Sequence, residues 1–224
     1  TAFGYLKKTM IKKYLIIFVL VIILVAVFWG SKTVENYFQN IIGYVTNYMS
    51  NEKWVVVIFV ALAVLSVMLV SFSSIWLVPI ALALWGNLLT LAILLGGWLL
   101  GSIFSYLVGK YAGYPIVRKI ISEEKINHYS SVFLQARESF SLIILSRFVL
   151  PSEIPGYLLG MAKYPFFKYL LATAISEIPY AFVTVYFIDA VLRKNAIALL
   201  VWGIIWVFFA LLMVRMYRKI TMVS

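Results

Sequence analysis

Residues 71–87 read SFSSIWLVPIALALWGN and sit inside a longer run, Trp54 to Gly109, that holds no charged side chain. One helical crossing of a bilayer needs roughly 20 apolar residues, so this run is too long for one crossing. Ser71, Ser73, Ser74, Pro79, Gly86 and Asn87 punctuate it near its middle. Irregular backbone at membrane depth survives only where protein or water satisfies its polar groups. We therefore read 54–86 as a hairpin that dips into the bilayer and returns, followed by a full span at 88–109. Gly97, Gly101, Gly109 and Gly113 form two small-xxx-small pairs on that span, whose physical use is close helix contact.

The rest of the chain agrees with a bilayer as solvent. Of the 224 residues 64% are hydrophobic and 12% charged, and mean hydropathy is +1.02. Globular domains run near 45–50% apolar and about 25% charged, and a soluble fold of this size has no room to hide the excess. That excludes a soluble enzyme, a nucleic-acid-binding domain and a disordered regulator. The 19 Lys plus Arg against 8 acids, net +11, then mark cytoplasmic loops and contacts with anionic head groups. The chain has no Cys, which removes disulfide and thiolate chemistry. His128, the single histidine, has no ligand cluster around it, so neither a metal nor a cofactor is expected.

Working outward, Lys7, Lys8, Lys12 and Lys13 precede the uncharged run Tyr14–Trp29, read as a first span with its N-terminus inside. Residues 31–53 carry no net charge and hold Tyr37, Phe38, Tyr44 and Tyr48. An interfacial helix and a simple outer loop both fit them. Residues 110–138 are basic and amphipathic, and we place them in the cytoplasm. The second half begins SFSLIILS, breaks at Arg147-Phe-Val-Leu-Pro151-Ser152-Glu153-Ile-Pro155-Gly156, and passes Gly160 into a span at 166–192. A last span, 195–214, ends in Arg215, Arg218 and Lys219. The divisions are thus 1–53, 54–109, 110–138, 139–192 and 193–224. Counting crossings places all three basic clusters on one side and gives the two hairpin-plus-span units opposite orientation. The expected fold is an all-α polytopic membrane protein with two inverted, re-entrant helical hairpins. Broken helices at matching places in two halves point to a transport site near the midplane.

The stretch 145–187, LSRFVLPSEIPGYLLGMAKYPFFKYLLATAISEIPYAFVTVYF, resembles the second conserved region of the DedA superfamily, also called the VTT or SNARE-associated Golgi protein family. The stretch 78–113, VPIALALWGNLLTLAILLGGWLLGSIFSYLVGKYAG, resembles its first. Together they cover roughly residues 70–192. The resemblance implies two re-entrant hairpins in inverted repeats and lipid movement between leaflets, with proton coupling proposed. The lipids implied are anionic phospholipids or a polyprenyl phosphate. By position, Arg147 matches the family arginine of the second hairpin, Pro151 and Pro155 its prolines, and Gly160 its following glycine. Three departures stand out. The family's acidic residue in the first hairpin is replaced here by Ser71, Ser73 and Ser74. Its second arginine is replaced by Ser152-Glu153, and the gap from Arg147 to the first proline is one residue longer. These features place the chain nearer the SNARE-associated branch.

Arg147 among apolar neighbours costs on the order of 2.5–3.5 kcal/mol at the bilayer centre. It persists either as a forked donor for lipid phosphate or as an internal ion pair with Glu153 or Glu177. Ser152 suits an N-cap, with Glu153 on the positive end of the returning half-helix. Glu153 otherwise competes with phosphate for Arg147. With Pro151, Pro155 and Gly156 these residues form the expected substrate-binding set. Glu177, with Tyr180 and Thr184 at helical spacing, is either a proton relay or a structural partner of Arg147. Asp189 joins Glu153 and Glu177 as a proton-coupling candidate, with an interfacial pair to Arg193 as its simpler role. Lys163 and Lys168 are expected to snorkel. The functional expectation is a non-enzymatic lipid transporter or scramblase in the cell membrane, with both termini cytoplasmic. Its partners would be membrane lipids and protons, and a homo-oligomer is compatible; nucleic acid is not. The alternatives are a proton-coupled transporter of a small ion or solute, and a non-transporting scaffold.

Overall fold

The computed structural model describes residues 29–49, 53–69, 73–123, 126, 140–149 and 153–221. The expected span at 14–29 (apart from Trp29), Ser71, His128, Pro151 and Ser152 lie outside the described residues, as does the side chain of Glu153. Two compact units are present, 1–50 and 51–224. In the first, residues 32–49 form helix α1 (Lys32–Met49), which decides for a helix over a loop in that segment.

In the second unit, α2 (Lys53–Met68) is followed by a 3-10 turn (Ser74–Leu77) and α3 (Val78–Ile120). The expected fold-back within 54–86 is present. Ser66 Oγ meets Ser74 Oγ at 3.0 Å, and the rings of Phe59 and Trp85 meet edge-on at 5.6 Å. The chain therefore returns antiparallel along α2. Ser73 accepts a hydrogen bond from the Ile75 amide, and Pro79 lies in the first turn of α3, where its missing N–H costs nothing. The returning leg ends at Gly86, whose φ of 69° and ψ of −179° break the helix. Residues after Gly86 then run parallel to α2. A Cβ on Gly97 would lie 2.5 Å from Ala63 Cβ, and one on Gly101 2.7 Å from the Val64 carbonyl.

Two expectations on this span need correction. It does not stop at Gly109 but runs on to a break at Gly113, after which a short helical segment carries the basic residues to Ile120. Gly113 is not a contact glycine. Its φ is 63° and only Pro115 lies within 4 Å of where a Cβ would be. The helix bends there, which puts Pro115 in the opening turn of the last segment, a position that tolerates proline.

The second hairpin is α4 (Phe140–Val149) and α5 (Glu153–Met161). α5 lies backbone-to-backbone on α3. A side chain on Gly109 would overlap the Tyr157 carbonyl, and one on Gly160 the Tyr106 carbonyl. The leg closes with Lys163 N–H on Gly160 O and Tyr164 N–H on Leu159 O. α6 (Phe166–Leu192) has the expected bounds and passes through Pro179 unbroken. α7 (Ala196–Thr221) extends the expected last span through its basic end and stacks Trp202 on Tyr186 of α6.

The second unit is thus two hairpins flanking two long helices. Tyr169, at the start of α6, hydrogen-bonds to Ser102, while Ala181 and Val185 pack in one cluster with Leu91 and Leu94, so α3 and α6 are antiparallel. Each hairpin therefore enters from an opposite end. The first tip reaches the level of Trp98, whose Nε1 donates to Ser74 Oγ at 3.0 Å. The second reaches Ser102 and Ser105 through Arg147 and Gly156. The Tyr157 hydroxyl links the two hairpins by donating to the Met68 carbonyl at 3.0 Å. Among the described residues, the helices Ser74–Ile120 and Phe166–Leu192 are long and apolar enough to cross a membrane.

Candidate functional site

α4 delivers Arg147 into the space between α3 and α6. Its side chain is 1% exposed. Nη2 donates to Glu177 Oε1 at 3.1 Å and to Ser102 Oγ at 3.5 Å, and Nε donates to Ser176 Oγ at 3.2 Å. The guanidinium lies 5.3 Å from the Tyr169 ring centroid. Ser176 sends its own proton to the Thr173 carbonyl at 2.8 Å, which leaves its oxygen free to accept from Arg147. Tyr169 donates to the Ser102 carbonyl at 2.8 Å, fixing its ring beneath the cation.

A guanidinium has five N–H donors. Three are used here: one on Nε and two on Nη2. Nη1 is buried and finds no acceptor among the described residues. An unmet donor on a buried cation costs more than an ordinary hydrogen bond returns, so the arrangement is poised to accept one more anionic or carbonyl oxygen. Electrostatically, Arg147 and Glu177 cancel, and the pair is compensated only while both remain.

Arg147 pairs with Glu177, which is 10% exposed on its side chain; the side chain of Glu153, the other expected partner, lies outside the described residues. Pro155 and Gly156 are buried in the first turn of α5. A Cβ on Gly156 would fall 3.0 Å from the Tyr169 hydroxyl and 2.7 Å from Ser105 Cβ, so this turn rests on the residues that frame Arg147. Asp189 does not belong to the group. It lies 12 residues beyond Glu177, about 18 Å along the helix, and accepts from Arg193 Nε at 2.8 Å. Lys163 and Lys168 are exposed.

Glu177, Tyr180 and Thr184 keep their helical spacing on α6. Tyr180 also packs against the apolar cluster around Leu91 and Ala181, and further polar residues lie on the N-terminal side of Glu177. Tyr169, Thr173 and Ser176 recur at i, i+4 and i+7, one helix face, and that spacing was the available signal. Ser102 had none except its place beside Gly101.

A profile of the VTT domain matches residues 70–190, more than half the chain. The chain belongs to the VTT domain family. No curated protein and no solved structure matches it. VTT proteins are membrane-associated and transporter-like, in keeping with the two helices able to cross a bilayer. The matched segment of this VTT protein runs from the first hairpin's turn to the end of α6, and encloses Arg147, Glu177, Ser102 and Ser176.

Proposed function

We propose that this VTT protein moves phosphate-bearing lipid head groups, of a phospholipid or a polyprenyl phosphate, between leaflets. The two hairpins dip into the bilayer from opposite sides, and the head group passes between their tips while the acyl chains stay in the hydrocarbon. The observation that carries this reading is the buried Arg147, held by Glu177, Ser102 and Ser176 yet with no acceptor for Nη1 among the described residues. A phosphate oxygen meets that donor, and guanidinium suits phosphate geometry. The first turn of α5, which starts at Glu153, offers the same anion the free backbone N–H groups of a helix N-terminus, those of Ile154 and Gly156 among them. No bond is made or broken, so the protein needs no catalyst. The departures in the two hairpins favour the SNARE-associated branch.

The test is reconstitution in liposomes with labelled phospholipid and an impermeant quencher. Wild-type protein should expose the inner-leaflet label with no ion gradient. Arg147→Ala should slow exposure at least about tenfold, which corresponds to a barrier raised by about 1.4 kcal/mol. Undiminished exposure by a folded Arg147→Ala protein would overturn the phosphate anchor.

A second reading rests on Glu177, the carboxylate facing Arg147. If an arriving anion releases Glu177, that carboxyl becomes a proton carrier and transport is coupled. Glu177→Gln should then abolish the pH dependence of transport; an unchanged pH profile removes the relay.

A further inference from the structure

Helix α1 carries an aromatic stripe that the lipid-transport reading leaves unused. Tyr37, Ile41, Tyr44 and Tyr48 are 69%, 53%, 59% and 70% exposed. At roughly 100° per residue they fall within an arc of about 60°. On one side of that arc lie Phe38, Ile42, Val45 and Met49, all half-buried; on the other lie Asn36, Asn40 and Asn47, all exposed. The tyrosines therefore occupy the seam between an apolar face and an amide face. Tyr44 and Tyr48 lie ring to ring at 4.7 Å. Thr46, which would otherwise present a hydroxyl, turns it back to the Ile42 carbonyl at 2.9 Å.

We infer that α1 lies flat in the head-group boundary of a bilayer, with the tyrosine stripe at the water–hydrocarbon seam. Tyrosine is suited to that seam because its ring is apolar and its hydroxyl is wet. Its position between two faces of opposite polarity is what an in-plane helix requires. The occupant is lipid because the helix is continuous in sequence with the membrane body: only residues 50–52 separate it from Lys53 and the uncharged run that begins at Trp54. The charges also match a neutral boundary. Lys32 and Glu35 are the helix's only ionised side chains and they cancel. Most surface helices hold anionic lipid through a basic face; α1 has none, so ring burial alone holds it.

The absence of cysteine from the chain makes the test direct. Single cysteines replace Tyr37, Ile41, Tyr44 or Tyr48, and separately Asn36, Asn40 or Asn47, in the full chain reconstituted in liposomes. Each carries an environment-sensitive fluorophore. A quencher attached near the lipid head group should act severalfold more strongly on the tyrosine-side set than aqueous iodide does, and the order should reverse on the asparagine set. The pattern should be the same in neutral and anionic vesicles and between about 0.1 and 1 M salt, where screening lengths differ severalfold. Iodide reaching both sets equally would place the stripe in water and overturn the inference. So would a stripe shielded from both quenchers, which means a protein partner or second copy. Quenching that needs anionic lipid would overturn the uncharged mode of binding. Tyr48→Cys beside Asn47→Cys gives an internal comparison if any one variant fails to fold.

Discussion

Arg147 and Glu177 hold each other in place more than they stabilise the fold. Removing one partner of a buried pair strands the other, at about 3–5 kcal/mol, whereas replacing both with apolar groups is often neutral. Arg147→Met and Glu177→Leu should each lower thermal stability by that order in detergent, and the double variant should recover most of it. Lipid exposure in liposomes should stay abolished in the double variant. Destabilisations that simply add would mean that the two groups do not depend on each other. Ser176→Ala, which takes one acceptor from Nε, belongs to a milder class, about 1 kcal/mol.

Among the elements, the crossing of α3 and α5 decides whether Arg147 reaches its partners. Gly109 and Gly160 let two backbones touch, and within lipid such close approach replaces the hydrophobic drive that water supplies elsewhere. Gly109→Val should push α5 off α3, costing about 1–3 kcal/mol by overpacking and reducing lipid exposure with Arg147 still present. Gly43→Ala is the matched control. It lies on a helix with open space around it and should be neutral or slightly stabilising by helix propensity. Equal thermal shifts for the two variants would refute the crossing as the critical junction.

At the scale of the whole molecule the question is orientation. α3 ends at the basic residues Arg118 and Lys119, and α7, which returns from the far end of α6, carries Arg215; together they predict one cytoplasmic face by the positive-inside tendency. A cysteine at Lys194, in the turn between α6 and α7, should react with an impermeant thiol reagent on intact cells. Cysteines at Arg118 and Arg215 should react only after permeabilisation. Labelling of Arg118→Cys from outside would reverse the orientation, and with it the side from which each hairpin enters.

Much of this was legible from local features. The uncharged run broken by serines, Pro79 and Gly86 announced the first hairpin, and the bounds of α6 and the isolation of Arg147 among apolar neighbours were plain. Hydropathy and helix breakers act over a few residues, so the chain alone determined a membrane protein of broken helices with one stranded guanidinium. Meetings between remote segments were not legible. That Arg147 would meet Glu177, that Ser102 and Tyr169 would frame it and that Gly113 would bend instead of pack all depend on the rotation and depth of helices separated by many residues. Only the packing of both hairpins against α3 and α6 set those angles, because a helix's own sequence says which faces are polar but not what they will face.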